Sequence, residues 1–530
     1  MKMLKSLVRT LMSALYLWTR VYFFWVRLLF WLLNSLRPRG RLPKPNEPLI
    51  LMSASEAARQ LRRREITSVE LIEAYIARIE EVNPYLNAVV VKNYEQALAL
   101  ARQADAQFEG FDIGDDGEVR GLEEKPYLGV PFTLKDCMEV QGLICTAGII
   151  NRRELRSESD ATVVARMRAA GGIPLVITNV SEVCMWWESN NRIYGRTKNP
   201  YDSRRIVGGS SGGEAALIAA AGSVWGIGSD IGGSIRLPAF FNGLFGLKPT
   251  PGLVPDEGCI PYPHGYQKVM HSPGPICRYA EDLKPMLRIL AGPTVTEYKL
   301  RLDEPVDFRR VKLFYMEGLR TPAAVSLDDD MRGALKKAVR FFETRYDLLG
   351  HRLDLPLAHY ALQFFLSSID NPDAPKFSEQ MLNRQGTVNA WKELVQWPIG
   401  RSQHTLPALL LAALERIAPF DQEHKRKLFS LRDILIRELH ELLGDNGVLV
   451  FPAFPTVAPF HNEPVLTPFN FIYTGLWNAL GMPVVSCPMG LNGGRVPVGV
   501  QIVAAPGNDR LLIAAAMELE NGFGGWHVPS

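Results

Sequence analysis

Glycine and serine are concentrated between Gly208 and Pro249, and this block constrains the fold of the 530-residue chain more than any other segment. It reads GGSSGGE from residue 208, continues as an apolar run over 215–224, and closes with GSDIGGSIR from residue 228. Glycine tolerates positive φ and lets a backbone approach a ligand closely, although ordering it costs about 0.5–1 kcal/mol. So many glycines indicate bare N–H groups directed at a phosphate or at a developing oxyanion.

Three other motifs fit this block only in part. A phosphate-binding P-loop requires a lysine directly after its last glycine, and neither glycine cluster has one. The sequence Gly208-x-Ser210-x-Gly212 matches the nucleophile elbow of α/β-hydrolases, but loop residues precede it where that motif requires an apolar strand. A loop that merely caps a helix leaves the second cluster, around Ser234, without a purpose.

A lysine upstream of the block is a candidate base. Residues 129–134 read GVPFTL, a short apolar strand that delivers Lys135 at its end. We expect this lysine to be buried, and burial disfavours the charged form, so that a neutral amine can accept a proton. Serine becomes a good nucleophile only when a neighbouring base removes its proton. Lys135 therefore points to base-assisted chemistry at a serine of the block.

Together these motifs resemble the amidase signature family. Ser234 follows Ser210 by 24 residues, and Lys135 lies 75 residues before Ser210. The resemblance also covers GLKPT at 246–250, GMPVVS at 481–486 and VGVQ at 498–501, and it extends from about residue 53 to residue 520. It implies a serine amidase that needs neither a metal nor an organic cofactor.

The resemblance also implies a role for each residue of the site. Ser234 would be the nucleophile, Ser210 the bridging serine after a cis peptide bond, and Lys135 the base that reaches Ser234 through Ser210. An oxyanion hole would consist of four backbone N–H groups, those of Ile231, Gly232, Gly233 and Ser234. Ser211 stays open between a place in this hydrogen-bond network and a purely structural role.

Apolar runs and helical patterns alternate along the rest of the chain. Capping boxes at Ser53-x-x-Glu56 and Thr67-x-x-Glu70 predict two helices, the second ending near Asn83-Pro84. Further patterns predict strands over 86–91, 173–177, 311–314 and 448–451, and helices over 331–342 and 427–443. This alternation predicts an α/β fold. With the resemblance, it implies one α/β/α sandwich with a large mixed, twisted sheet over residues 53–530.

Composition excludes several other classes of protein. The net charge of +3 is too small and too dispersed for nucleic-acid binding. The six cysteines contain no Cys-x-x-Cys pair and the nine histidines no metal-ligand spacing, which argues against a metal centre. So few cysteines in so long a chain also predict no disulfide framework.

The N-terminus predicts membrane attachment. Residues 1–36 are mostly apolar and aromatic, and residues 37–52 form a linker that begins PRGRLP at 38–43. Arg20 and Arg27 interrupt the apolar sequence, and each costs about 2.5–3.5 kcal/mol at a bilayer centre. On a helical wheel the polar residues share one wedge: Lys2, Lys5, Arg9, Ser13, Tyr16, Arg20, Arg27 and Asn34. This pattern predicts either a monotopic or hairpin anchor, or a tilted single-pass helix.

Attachment to a lipid surface favours substrates that reside there, namely long-chain acyl amides rather than soluble amides. Within the family, the chain most resembles the vertebrate fatty-acid amide hydrolases, through residues 184–188 (CMWWE) and the N-terminal anchor. We therefore expect hydrolysis of primary fatty-acid amides and N-acylethanolamines at the endoplasmic reticulum or a lipid-droplet surface. Residues 404–420 are interpreted as a core helix or as an interfacial cap near Trp391 and Trp397. Two alternative functions stay open. One is an amidase of small soluble amides or a glutamine-dependent amidotransferase subunit, and the other is a non-catalytic lipid-binding protein on the same fold. A homodimer also stays open.

Overall fold

The computed structural model describes residues 2–114, 117–415 and 420–529, with the side chains of the first helix described from residue 14 onward. Within this part, eleven strands form one sheet and two short strands form a hairpin. In chain order, the strands are β1 (Val89–Lys92), β2 (Pro131–Lys135), β3 (Ile173–Thr178), β4 (Asn190–Asn191), β5 (Gly195–Arg196), β6 (Trp225–Asp230), β7 (Phe245–Lys248), β8 (Ser272–Cys277), β9 (Lys312–Tyr315), β10 (Gly350–Arg352), β11 (Gly447–Pro452), β12 (Val484–Leu491) and β13 (Pro497–Val503).

Helices connect and cover these strands. In chain order, they are α1 (Lys2–Ser35), α2 (Ala54–Arg62), α3 (Ser68–Leu86), α4 (Tyr94–Glu109), α5 (Thr162–Ala169), α6 (Gly212–Ala219), α7 (Arg236–Phe241), α8 (Gln267–Met270), α9 (Leu283–Ala291), α10 (Pro293–Val295), α11 (Asp329–Tyr346), α12 (Ala361–Ile369), α13 (Phe377–Gln380), α14 (Ala390–Gln396), α15 (Leu406–Leu414), α16 (Gln422–Leu443), α17 (Glu463–Leu466), α18 (Ile472–Ala479) and α19 (Asp509–Phe523).

The large sheet is mixed, as the sequence predicts. Its strand order is β1-β3-β2-β6-β8-β7-β12-β13-β11-β9-β10. Strands β3, β2 and β6 are parallel to one another, and so are β11, β9 and β10. Between these two groups, the sheet runs β6-β8-β7-β12-β13-β11, and each neighbouring pair in this stretch is antiparallel. Strands β2, β3, β6, β8 and β13 are buried at every residue, which requires cover on both faces of the sheet.

Local sequence signals place most elements correctly. Ser53 caps α2, and the capping box of Thr67 and Glu70 opens α3. The strands predicted over 173–177, 311–314 and 448–451 are β3, β9 and β11, and the helices predicted over 331–342 and 427–443 lie within α11 and α16. Both boundaries between α3 and β1 are wrong: the strand predicted over 86–91 is β1, which spans Val89–Lys92, and α3 continues through Pro84 to Leu86. Asn87 ends it instead, in the left-handed conformation that suits asparagine.

Helix α1 packs on the rest of the chain through one face. Phe23 and Val26 are buried, and the Tyr22 hydroxyl donates to the Leu466 carbonyl oxygen at 3.0 Å. On the same face, the Arg27 guanidinium lies 3.6 Å from the Asp328 carboxylate. The opposite face leaves large apolar side chains more than half exposed, namely Leu17, Trp18, Phe24, Trp25, Trp31, Leu32 and Leu33.

Among the described residues, no helix is at once long enough and apolar enough to cross a membrane.

Segment 404–420 contains α15, and its residues 416–419 lie outside the described part of the chain. One face of α15 packs into the core through four residues, Ala408, Leu409, Ala412 and Ala413. Leu414 at its end is more than half exposed, as is Trp391 in the neighbouring α14. The core interpretation therefore holds for one side of this helix.

A buried carboxyl group ties α6 to the strands that carry the site. The hydroxyls of Thr133 in β2 and Thr178 in β3 donate to the two oxygens of Glu214. A side chain at Gly226 in β6 would overlap Glu214, so only glycine leaves room for the carboxyl group. Burial raises the pKa of Glu214 to about 8, which keeps this carboxyl group protonated at neutral pH.

We predict that Glu214→Gln flattens the pH dependence of stability. Between the ordinary pKa of 4.5 and about 8, the folded state holds one proton more than the unfolded chain. The free energy of unfolding should therefore fall as pH rises through this range, by on the order of 1 kcal/mol per pH unit. Glutamine keeps one acceptor oxygen, places an amide donor where the other oxygen stood so that a threonine hydroxyl can accept from it, and does not ionise. Urea unfolding at pH 5–8.5 measures the slope beside the surface control Glu123→Gln, and an unchanged slope in Glu214→Gln would contradict the raised pKa.

Candidate active site

Strand β2 delivers Lys135 to the interior at its carboxyl end. The Lys135 side chain is only 1% exposed. Its amine contacts the Ser210 hydroxyl at 2.7 Å, the Ser229 hydroxyl at 2.9 Å and the Ser229 carbonyl oxygen at 3.2 Å. All three contacts are to uncharged oxygens. The expected burial of Lys135 and its proximity to Ser210 are therefore confirmed.

Ser210 lies in the turn that leads into α6. The Gly209–Ser210 peptide bond is cis, as the resemblance implies. The Ser189 hydroxyl lies 3.0 Å from the Gly208 carbonyl oxygen and 3.2 Å from that of Ser210, and the Gly212 N–H donates to it. These contacts fix the turn from its outer side. Ser210 is itself 1% exposed, so Lys135 and Ser210 form a buried pair.

Ser234 lies in the loop between β6 and α7, half-buried beside that pair. It lines a cavity of about 60 Å³ together with Lys135 and Ser210. The Ser234 carbonyl oxygen accepts a hydrogen bond from the Ser211 N–H at 3.2 Å, which joins the two ends of the glycine–serine block. The structure thus brings the three predicted side chains to one cavity.

The four N–H groups predicted for an oxyanion hole are not equivalent. The Gly233 N–H donates to the Asp230 carboxylate at 2.7 Å. Within the described residues, the N–H groups of the other three have no hydrogen-bond partner: Ile231, Gly232 and Ser234. Gly233 has a φ of +123°, and a Cβ there would lie 2.1 Å from the Thr474 hydroxyl oxygen, so this position requires glycine.

A buried ion pair holds the Ser234 loop at its base. Asp230 and Arg236 are both fully buried, and the guanidinium contacts both carboxylate oxygens, at 3.0 and 3.1 Å. Asp230 also accepts from the Ile235 N–H, and Arg236 donates to Gln501 and Asn478. Burial alone would raise the pKa of Asp230, but the charge and hydrogen bonds of Arg236 hold it below its usual value.

Two further side chains complete the surroundings of Lys135. The Ser211 hydroxyl is buried and has no partner among the described residues, so its role stays undecided between the two alternatives. The Cys137 thiol lies 3.6 Å from the Ser229 hydroxyl. A hydrogen bond with Cys184, and then the nearby Lys135, lower the pKa of this thiol in spite of its burial. All six cysteines are free.

A second, larger cavity of about 630 Å³ adjoins the first. Met185 lines both cavities and therefore stands between them. Apolar side chains from four separate segments line part of the larger cavity: Phe30 of α1, Trp397, Leu406 of α15, and Leu466 of α17. Charged and polar side chains line another part, among them Glu182, Glu188, Arg192 and Arg196. Its volume falls within the range of about 300–1,000 Å³ that is usual for ligand sites.

Sequence reasoning missed the residues that support the site. Ser229, Asp230 and Arg236 all lie in the glycine block, yet no role was expected for them. The sequence contained a local indication of their pairing, because Asp230 and Arg236 lie six residues apart on either side of the GGS turn. Asn478 and Gln501 had no such signal, since they reach Arg236 from distant parts of the chain.

This arrangement supplies the components of acyl transfer. A lysine amine contacts one serine hydroxyl, a second serine lines the same cavity, and unpaired N–H groups flank it. A base beside a hydroxyl supports nucleophilic catalysis, and fixed N–H donors stabilise a tetrahedral oxyanion.

Comparisons with known proteins agree with this chemistry. The sequence profile of the amidase family matches residues 70–513. Human fatty-acid amide hydrolase 2 is 43% identical over 498 residues, which cover 92% of each chain. Fatty-acid amide hydrolase 2-A of Danio rerio is 44% identical over 498 residues, with the same coverage. A solved structure of a fatty acid amide hydrolase superposes with a TM-score of 0.73 at 22% identity, covering 92% of this chain and 87% of the other.

Proposed function

Since the chain belongs to the amidase signature family and is an amidase that hydrolyses carbon–nitrogen bonds, we propose that it cleaves fatty-acid amides at a lipid surface. The substrates would be primary amides and N-acylethanolamines, and the products a free fatty acid with ammonia or ethanolamine. The observation that carries this proposal is the buried contact of Lys135 with Ser210 in the cavity that Ser234 lines. The names of the relatives support the substrate class.

The proposed reaction begins with two proton transfers. Neutral Lys135 accepts a proton from Ser210, and Ser210 accepts one from Ser234. The Ser234 oxygen then attacks the amide carbonyl carbon, and its electron pair moves onto the carbonyl oxygen. We assign the stabilisation of this oxyanion to the free N–H groups of Ile231, Gly232 and Ser234, each worth roughly 2.7–4 kcal/mol. The Gly233 N–H would instead hold the loop through Asp230.

The second half of the reaction returns the proton. Lys135 gives it back through Ser210 to the nitrogen of the leaving group, the carbon–nitrogen bond breaks, and the amine departs. Water, deprotonated by the same relay, attacks the acyl-enzyme and releases the fatty acid. An amine leaves poorly without this proton, so an amide depends on its return more than an ester does.

The larger cavity would accept the acyl chain. It reaches Met185 from the side of α1, and Met185 is also a wall of the cavity that contains Ser234. A chain bound there would place its carbonyl carbon near Ser234. The apolar walls contributed by Phe30, Trp397 and Leu466 suit methylene groups.

We propose that α1 lies in the membrane interface rather than across it. Two residues of its polar wedge face the catalytic part of the chain, where Arg27 lies beside Asp328 and Asn34 is buried. The exposed face carries the tryptophans and leucines that favour a lipid surface. Either the endoplasmic reticulum or a lipid droplet offers such a surface. The division into an anchor (1–36), a linker (37–52) and a catalytic domain (53–530) stays a prediction, as does a homodimer.

Activity should rise with acyl-chain length and depend on Ser234. Detergent-solubilised protein would be given primary amides of saturated and unsaturated acids from C4 to C20, with product release measured by mass spectrometry. Longer chains fill the larger cavity, so kcat/KM should increase at least tenfold between C6 and C16. Ser234→Ala should reduce turnover at least a thousandfold, whereas Ser430→Ala, at an exposed serine of α16, is the control. High activity on C4 with none on C16 would contradict the lipid substrate.

Removal of the proposed base should harm amides more than esters. Lys135→Ala should lower amide turnover by about 10²–10⁴ and the turnover of the matching methyl ester by much less. Lys248→Met is the control, since Lys248 is also fully buried but, among the residues that the structure describes, donates only to the Pro249 carbonyl oxygen. Equal losses on amide and ester in Lys135→Ala would exclude a base that returns its proton to the leaving group.

The exposed face of α1 should be required for vesicle binding. Trp18→Asp with Trp25→Asp should weaken sedimentation with phosphatidylcholine vesicles at least tenfold, because both indoles are more than 60% exposed. Tyr298→Asp serves as the control, since Tyr298 is also highly exposed but lies outside α1. Unchanged sedimentation of the double variant would contradict interfacial attachment through this face.

A further inference from the structure

We propose that His271 determines which leaving amine the site accepts, by receiving a hydrogen bond from the hydroxyl of a small hydroxyalkylamine such as ethanolamine. This inference rests on the proposed function, because it concerns the head group of the lipid amide. His271 does not take part in the proton relay through Lys135 and Ser210. It is a specificity-determining residue in another part of the lining of the catalytic cavity.

The position of the leaving group follows from the two cavities. An amide carbonyl carbon carries the acyl chain on one side and the nitrogen on the other. If the chain runs past Met185 into the larger cavity, the nitrogen must point to the remaining wall of the smaller one. Besides Met185 and the residues of the proposed relay and its loop, the smaller cavity is lined by a separate segment that includes Cys259, Tyr262, Gln267 and His271.

The size of the smaller cavity limits the amine. Its volume is about 60 Å³, and a water-sized group requires roughly 10–15 Å³ of such volume. The space therefore admits roughly four to six non-hydrogen groups. The carbonyl carbon and oxygen of the scissile bond take two of these positions, so ammonia fits easily and ethanolamine, with four non-hydrogen atoms, reaches the upper limit of the remaining space. Amines as large as an amino acid with a long side chain would have to displace the wall.

Hydrogen bonding orients the His271 ring. Its Nδ1 lies 2.5 Å from the Asp256 carboxylate, and the side chain is largely buried. A carboxylate accepts the proton of Nδ1, so the neutral ring carries its free electron pair on Nε2. In the described part of the chain, Nε2 has no hydrogen-bond partner. His271 thus presents an unused acceptor to the cavity. The other polar groups of this wall are the Tyr262 hydroxyl and the amides of Gln267 and Gln380, which already donate to the Ile369 and Pro375 carbonyl oxygens.

Asp256 acts through His271 as a positioning residue. It fixes the ring plane and the tautomer, and it does not line the cavity itself. A substrate hydroxyl that donates to Nε2 would hold the nitrogen of the scissile bond close to Ser210, from which it receives its proton. A head group of the same size without a hydroxyl would fill the same space but leave Nε2 unpaired.

The test compares two oleoyl amides that differ in one group, the N-(2-hydroxyethyl) amide and the N-propyl amide. The detergent-solubilised full chain should show a higher kcat/KM for the hydroxyethyl amide. In His271→Leu, the ratio of the two kcat/KM values should fall roughly fivefold to tenfold, the loss of one hydrogen bond. Asp256→Asn should lower the ratio in the same direction, and His271→Gln, which keeps an acceptor, should restore part of it.

His264→Ala is the matched control, since this histidine lies in the same segment but does not line the catalytic cavity. Labelling of Ser234 by a fluorophosphonate gives the fraction of folded sites in each variant. A ratio that stays within twofold of wild type in His271→Leu would overturn the inference. So would an equal fall in His264→Ala.

A further measurement separates this inference from the proposed function. If the wild type hydrolyses no oleoyl amide, the proposed function fails, and the two amides are then compared by equilibrium binding to Ser234→Ala. Tighter binding of the hydroxyethyl amide that disappears in the Ser234→Ala, His271→Leu double variant supports head-group recognition by His271. Equal affinities for both amides, or no binding of either, overturn it.

Discussion

The ion pair between Asp230 and Arg236 fixes the loop on which the rest of the site depends. Both side chains are fully buried, and removing two charges from water is expensive unless every polar atom finds a partner. Here the carboxylate accepts from the Gly233 and Ile235 N–H groups, and the guanidinium donates to Thr474, Asn478 and Gln501. The loop cannot shift without breaking several of these bonds together, so Ser234 and its neighbouring N–H groups keep one geometry.

The sheet explains why this loop meets Lys135. Strands β2 and β6 are parallel neighbours, so their carboxyl ends lie at the same edge, the usual place for a site in such a sheet. One strand ends at Lys135 and the other at Asp230. The Ser229 hydroxyl bridges the two ends through its contact with the Lys135 amine. The position of the lysine is thus set by backbone pairing, and only the two serines are supplied by turns.

Local patterns predicted much of this, and distant contacts explain the rest. Lys135 at a strand end and strands β3, β9 and β11 follow from short-range patterns, whereas the roles of Ser210 and Ser234 are implied by the resemblance to the amidase signature family. The hydrogen bond from the Gly233 N–H to the Asp230 carboxylate depends on the conformation of the turn, and a glycine-rich sequence is compatible with many turn conformations. Contacts of Arg236 with Asn478 and Gln501 join residues more than 240 positions apart. No pattern in a single sequence reports such pairs, because each partner is unremarkable in its own segment.

The orientation of helix α1 also depends on contacts that a single sequence does not report. A helical wheel identifies its polar wedge, but the wedge alone does not say whether it faces water or protein. In the structure, Arg27 and Asn34 face the catalytic part of the chain. Phe23 and Val26 are buried against the same part. Docking through the wedge turns the exposed tryptophans outward and places Phe30 in the wall of the larger cavity. If the outer face rests on lipid, the helix that holds the protein there also borders the route by which an acyl chain would reach Ser234.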